Sequence, residues 1–247
     1  MKKFLILLLL WLSIINICFS QDIVDWRGHN RSGTFHETDL LNEWPEDGPR
    51  LLWFNDSIYK GYSSASVIDN TVYVTGIKNA MDVLIAIDDK GKVLWKTPYG
   101  RAWNNTYAHS RSTPTIEEDR IYVSSGMGDI ACINKNSGKI KWAIKATEQF
   151  SGTYAQWGIA ESILIVDDKI IFTPGGKETT IVALDKHTGK TIWKSNSIND
   201  TPAYASPILT NYNNRKIIIT VMSWYVFVVD AEKGGYCVNI IMEQPAT

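Results

Sequence analysis

Two stretches gather the side chains best suited to grip a ligand. Tyr99–Arg111 (YGRAWNNTYAHSR) carries Arg101, Trp103, Tyr107, His109 and Arg111, and Glu148–Gly158 (EQFSGTYAQWG) carries Tyr154, Gln156 and Trp157. Aromatic rings and arginine are the residue types that dominate interface hot spots, and the same rings can stack on a sugar or a small ligand. Glu161 follows closely, where a carboxylate facing a channel could hold a cation or a polar ligand. The alternatives are plain: loop aromatics packed on a neighbouring element, and a solvated channel residue for Glu161. Nothing in this set makes or breaks bonds. His29, His36, His109 and His187 are scattered without metal-ligand spacing, and no Asp/Asn/Glu cluster has the spacing of a calcium loop. No catalytic, cofactor-binding or metal-binding residue is expected, and the best reading is a shared rim built from the two loops.

The elements that must position this rim repeat. Val72–Trp95, Ile121–Trp142, Ile170–Trp193 and Ile217–Val238 share one plan: a strand, a turn, a strand ending in Asp or Asn, a glycine turn and a closing strand. The turn-opening residues Asp88, Asn134, Asp185 and Asp230 lie 46, 51 and 45 apart, and the closing Trp95, Trp142 and Trp193 lie 47 and 51 apart. A period of roughly 40–50 residues with several strands per repeat marks a β-propeller blade. The fold class is therefore all-β, a propeller of four-stranded antiparallel blades, with four blades near 62–96, 110–144, 158–194 and 204–240. Asp or Asn can accept N–H bonds at the turn start, while Gly91, Gly138, Gly189 and Gly234 can take positive φ. The tryptophans are read as structural docking groups that fill the wedge between neighbouring sheets and hydrogen-bond through the indole N–H. PRLLWFN, residues 49–55, reads as an orphan closing strand with its own tryptophan, Trp53, and the repeat region runs over 49–247.

Ahead of the repeats, residues 1–20 read as a signal peptide: Lys2 and Lys3, then an apolar run from Phe4 to Ile17, then Cys18-Phe19-Ser20. The chain is then expected to be exported, periplasmic or extracellular, with no transmembrane segment after signal removal. Lipid anchoring at Cys18 is disfavoured by the bulky Ile17 before it. Without Lys2 and Lys3, 23 basic residues face 26 acidic ones with no long basic run, which excludes nucleic acid as the expected partner. Residues 21–48 form an N-terminal arm without strand or helix periodicity, expected to lie across the domain and bury Trp26, Phe35 and Trp44. Cys132 and Cys237 sit at different places in different repeats, and both are expected to be buried free thiols.

The units ALDKHTGKTIW (Ala183–Trp193), CINKNSGKIKW (Cys132–Trp142) and AIDDKGKVLW (Ala86–Trp95) resemble the tryptophan-docking repeat of pyrroloquinoline quinone (PQQ)-type propellers. The opening DWRGHNRSG…LLNEWPEDGPRLLW resembles the start of secreted PQQ-like repeat proteins. Such proteins generally have about eight blades, so the resemblance implies a partial ring, expected here as a truncated product, with closure as an unusual small ring or dimerisation through open blade edges as the alternatives. The fourth repeat departs from the pattern, with Val238 in the place of the tryptophan. Two activities are implied. BamB-like propellers lack the cofactor and hold partner proteins through their loops, which implies a binding or assembly scaffold for a protein, carbohydrate or small-molecule partner. Quinoprotein alcohol dehydrogenases bind PQQ with Ca²⁺ beside adjacent cysteines, and no Cys-Cys pair exists here. A scaffold without a cofactor is the expected reading, with a PQQ-dependent dehydrogenase, or a fragment of one, as the alternative.

Overall fold

The computed structural model describes residues 23–242; the signal-peptide and Cys18 readings lie outside the described residues. Sixteen strands form four separate four-stranded antiparallel sheets, each in simple up-and-down order. Blade I is β1 (Ser66–Ile68), β2 (Thr71–Lys78), β3 (Met81–Asp88) and β4 (Val93–Arg101). Blade II is β5 (Thr115–Glu117), β6 (Arg120–Ser124), β7 (Asp129–Asn134) and β8 (Ile140–Lys145). Blade III is β9 (Leu164–Val166), β10 (Lys169–Phe172), β11 (Val182–Asp185) and β12 (Thr191–Lys194). Blade IV is β13 (Ile208–Tyr212), β14 (Arg215–Val221), β15 (Tyr225–Asp230) and β16 (Tyr236–Ile241). The only α-helical turn among the described residues is α1 (Ala146–Gln149), which opens the second of the two aromatic loops. The chain is thus an all-β, four-bladed partial propeller, and no described helix is long and apolar enough to cross a membrane.

The turn chemistry explains why the third and fourth strands meet where they do. Asp88 Oδ1 accepts the N–H groups of Lys90 and Lys92, Asp185 Oδ1 those of His187 and Thr188, and Asp230 Oδ1 those of Glu232 and Lys233. Asn134 Oδ1 does the same for Ser137. Each hairpin then carries a bulge, at Ala86/Ile87, Cys132/Ile133, Ala183/Leu184 and Val228/Val229, which twists the closing strand at one shared place.

Each tryptophan docks forward onto the glycine turn of the next blade. A methyl group on Gly138 would lie 2.6 Å from the Trp95 ring, and one on Gly189 would lie 2.7 Å from Trp142. Trp193 stands against Gly234 in the same way. Only glycine leaves room, and its φ of 69° at Gly138 and 72° at Gly189 is one that other residues resist. Trp142 also donates its indole N–H to Lys186 O at 3.1 Å, whereas the buried Trp193 Nε1 has no partner. Trp53 follows the same rule: it packs on Gly91, where a methyl would meet its ring at 2.8 Å, and Asn55 Nδ2 donates to Gly91 O. Residues 49–55 nevertheless form no strand. A lone segment has no neighbours with which to build a ladder, so this reading is corrected to a docked tryptophan without its sheet.

Apolar cores lie between the blades. Tyr73, Leu84 and Ala86 of blade I meet Ile116, Ile121 and Ile133 of blade II. Tyr122, Ile130 and Cys132 meet Ile163, Ile170 and Phe172. Leu164, Ile171 and Ala183 meet Ile218, Phe227 and Val229. The other face of blade I (Val83, Ile85, Ile87) is covered by Trp53 and Tyr59. Alternation along each strand sends successive side chains to opposite faces, so blades I, II and III each feed two cores, and blade IV feeds the one it shares with blade III. Cys132 is buried, as expected, but Cys237 is exposed on β16, the outermost strand of blade IV, and both thiols are free.

The arm is held by residues other than those expected. Phe35 is 64% and Trp44 72% exposed, and Trp26 is half-buried. Val24 instead bridges Ile116 of blade II, and Arg31, 6% exposed, ties the arm to blades III and IV. Its guanidinium pairs with Asp25 at 2.6 Å and donates to Ile163 O at 2.6 Å and to Pro207 O at 2.7 Å. The reason lies in the inner strands. Ser66 Oγ donates to Pro114 O of the next blade, and Thr115 Oγ1 to Ile163 O. The matching residue in blade III is Leu164, which has no hydroxyl, and Arg31 supplies the missing donor to Pro207 O. Buried carbonyls need a partner, and a charged donor here replaces a neutral one.

Candidate functional site

The blades are also tied by a relay at the start of their inner strands. Ser64 N–H donates to Thr113 Oγ1 (3.1 Å), Thr113 N–H to Ser162 Oγ (3.0 Å), and Ser162 N–H to Ser206 Oγ (2.9 Å). These equivalent positions are 49, 49 and 44 residues apart. Because residues 61–64 bond sideways to blade II in this way, β1 begins only at Ser66.

The residue one step earlier is Ser63, Ser112, Glu161 or Ala205. Ser63 Oγ accepts Thr75 N–H and Ser112 Oγ accepts Ser124 N–H. Glu161 Oε2 accepts Thr173 N–H at 3.2 Å, so the carboxyl stands in a hydroxyl's place. It is 2% exposed, and its Oε1 is buried without a partner. Burial, only partly offset by the Thr173 bond, pushes Glu161 up to about 8. Asp82 is a second buried acid, 1% exposed: Oδ2 accepts Gly126 N–H at 2.7 Å, Oδ1 has no partner, and burial pushes it up to about 7.

Two steps before the relay stand Tyr62, Arg111, Ala160 and Tyr204, one from each blade. With Tyr107 and Trp157 they line a single open cleft of about 540 Å³. Trp157 lies between two rings, its centroid 5.1 Å from Tyr204 at 32° and 6.3 Å from Tyr107 at 84°. Trp157 N–H donates to Tyr204 Oη at 2.9 Å, which fixes the pair. Arg111 is held at the edge by its own loop, donating to His109 O (3.0 Å) and Tyr107 O (2.6 Å). Burial lowers its pKa from the usual arginine value, with Asp82 opposing that effect.

The remaining rim candidates divide by position. Trp103 is buried beneath the loops, 5.7 Å from Tyr154, and closes over Gly126 and Gly158. Tyr154 donates to Met127 O. These two rings pack as structure. Arg101 belongs to an ion-pair group with Asp129 (2.6 Å) and Glu148, which keeps its guanidinium charged. His109 stacks on Tyr62 at 4.5 Å behind the cleft, and Gln156 is exposed, its carbonyl accepting from Thr106 Oγ1. Tyr107, Arg111 and Trp157 are thus brought together, and Tyr62 and Tyr204 join them unannounced by any motif. The signal that could have found them is their register against Arg111.

A profile of the family described as outer membrane protein assembly factor BamB, a PQQ-like repeat family, matches residues 80–237, well over half of the chain. The chain belongs to that family. Among solved structures, this BamB-family chain is similar to BamB from Moraxella catarrhalis (TM-score 0.51, 15% identity, 79% of this chain and 54% of that one). It is also similar to a quinohemoprotein alcohol dehydrogenase from Pseudomonas putida HK5 (0.54, 15%, 75% and 34%). A europium-containing methanol dehydrogenase gives 0.52 at 14% identity, over 78% of this chain and 53% of that one. These similarities concern the fold, and the chain spans between about a third and about half of the length of these structures. A comparison with curated proteins found no match.

Proposed function

We propose that this BamB-family chain is an exported binding scaffold that holds a protein or carbohydrate partner in the cleft at the start of its inner strands. The observation that carries this is that all four blades give the same inner-strand position to one cleft, through Tyr62, Arg111, Ala160 and Tyr204. A concave site of this size, walled by rings with one charged group, is the form of a recognition site. The neighbouring acids serve the scaffold: Asp82 and Glu161 are closed off from solvent and hold backbone N–H groups. Export rests on the residues 1–20 pattern, and a periplasmic location is in keeping with the family's description as an outer membrane assembly factor. The test places a photo-crosslinking residue at Tyr107 and, as a control, at Arg215 in the separate groove it shares with Asp167 and Glu232. Adducts from position 107 alone, lost with Trp157→Ala, are expected; equal adducts from both positions would remove the cleft from the reading.

The second reading is a PQQ-dependent dehydrogenase or part of one. Arg111 could meet a carboxylate of that cofactor, but the rings beside Trp157 stand at 32° and 84° to it rather than parallel. The residues do not suit its calcium ion: no group of three or more His, Cys, Asp or Glu is placed to hold a metal among the described residues, and Cys132 and Cys237 lie in different blades. The residues present therefore do not fit the group. Retention of PQQ and Ca²⁺ through dialysis, with dye reduction by an alcohol, would put this reading first.

A further inference from the structure

Among the described arginines, Arg31, Arg101, Arg120 and Arg215 each contact a carboxylate within 4 Å; Arg27, Arg50 and Arg111 do not, and of these three Arg111 is the one that lines the cleft. Two of its five N–H groups are spent on the carbonyls of its own loop, which aims the planar fork without neutralising it. Asp82, the acid whose charge Arg111 feels, is fully buried and bonded to Gly126 rather than to the guanidinium. A cation is therefore presented at the edge of an aromatic cleft with its counter-charge left open.

The shape of the cleft narrows what can bring that counter-charge. A flat aromatic anion is best held between near-parallel walls. Here the rings beside Trp157 stand at 32° and 84° to it, which offers angled faces to a puckered body. Sugar rings present C–H groups on one face and hydroxyls at the rim. Tyr204 Oη already accepts the Trp157 N–H, so its own proton is available to a ligand hydroxyl. The volume of about 540 Å³ suits one or two sugar units. We propose that the cleft is selective for acidic sugars, binding a hexuronate unit with its ring on Trp157 and Tyr204 and its carboxylate on Arg111. This rests on the binding reading above and specifies the ligand class.

The test uses the soluble chain lacking residues 1–20, with methyl β-glucuronide and methyl β-glucoside as probes. The two share one ring and differ in the carboxylate. Binding is read by calorimetry and tryptophan fluorescence. The glucuronide is expected to bind about tenfold tighter or more, as a charge-assisted contact implies, and to weaken as salt is raised. Arg111→Gln is expected to bring the two probes within about twofold, Arg111→Lys to keep part of the preference, and Trp157→Ala to abolish both. A thermal melt checks each variant, and the wild-type comparison needs no variant at all. Equal affinities for the two probes, or no binding of the glucuronide, would overturn the proposal. Tighter binding of benzoate than of the glucuronide would overturn the sugar class. The crosslinking at Tyr107 is independent of these probes, so the scaffold reading stands or falls separately.

Discussion

Replacing Glu161 by Gln isolates the cost of placing an acid where two other blades use a serine hydroxyl. The amide can still accept Thr173 N–H, and it cannot ionise. In the folded chain the carboxyl titrates at about 8, against an ordinary value of 4.5. The folded state therefore binds the extra proton between these values, and stability must fall as pH rises through that window. The contribution is fully present below pH ~4.5 and lost once the pH passes ~8. At about 1.4 kcal/mol per unit, the full span is worth up to roughly 5 kcal/mol, and most of it accrues between pH 5 and 9. The assay is urea unfolding of wild type and Glu161→Gln across that range. The two should be close at pH 5, with the variant more stable by roughly 3–5 kcal/mol at pH 9. Asp82 titrates in both proteins and cancels in the difference. Parallel pH profiles would refute the placement of Glu161 as a buried neutral acid.

Other perturbations reach other parts of the molecule. Arg31→Leu removes the charge partner of Asp25 and leaves Pro207 O without its donor, and should cost about 3–5 kcal/mol by chemical denaturation. Gly189→Ala forces a methyl into the Trp142 ring at φ 72°, and should lower stability by about 1–3 kcal/mol, whereas Gly235→Ala, with open space around it, should change it by less than about 1 kcal/mol. In the folded chain lacking residues 1–20, a thiol reagent should titrate Cys237 alone; Cys132, buried and pushed up to about 11 by that burial, should react only after unfolding. Ile240 and Ile241 are exposed on β16, so Ile240→Lys should reduce any self-association measured by light scattering, as charges on edge strands do.

The blades were legible because their turns obey local chemistry. Asp88, Asn134, Asp185 and Asp230 act on N–H groups two to four residues away, and such short-range demands leave a spacing in the sequence. The cleft was half legible. Tyr107, Arg111 and Trp157 stood out as loop aromatics and an arginine, but Tyr62 and Tyr204 belong to the site only through a register between blades, and Trp103 and Tyr154 look like ligands while packing as core. The arm was misread because exposed rings are common on protein surfaces, and the buried contact fell to Arg31. Its role depends on the absence of a hydroxyl at Leu164, a pairing across 133 positions that no local pattern announces.

The Arg31 clasp also sets an order of events during synthesis. Its two carbonyl acceptors follow it by 132 and 176 residues, so the arm leaves the ribosome long before either exists. Val24 can pair with Ile116 as soon as blade II exists, but the Arg31 clasp is complete only when the inner strand of blade IV arrives. A residue made early is thus among the last to complete its contacts, and the closing of the Arg31 clasp reports that the fourth blade is in place.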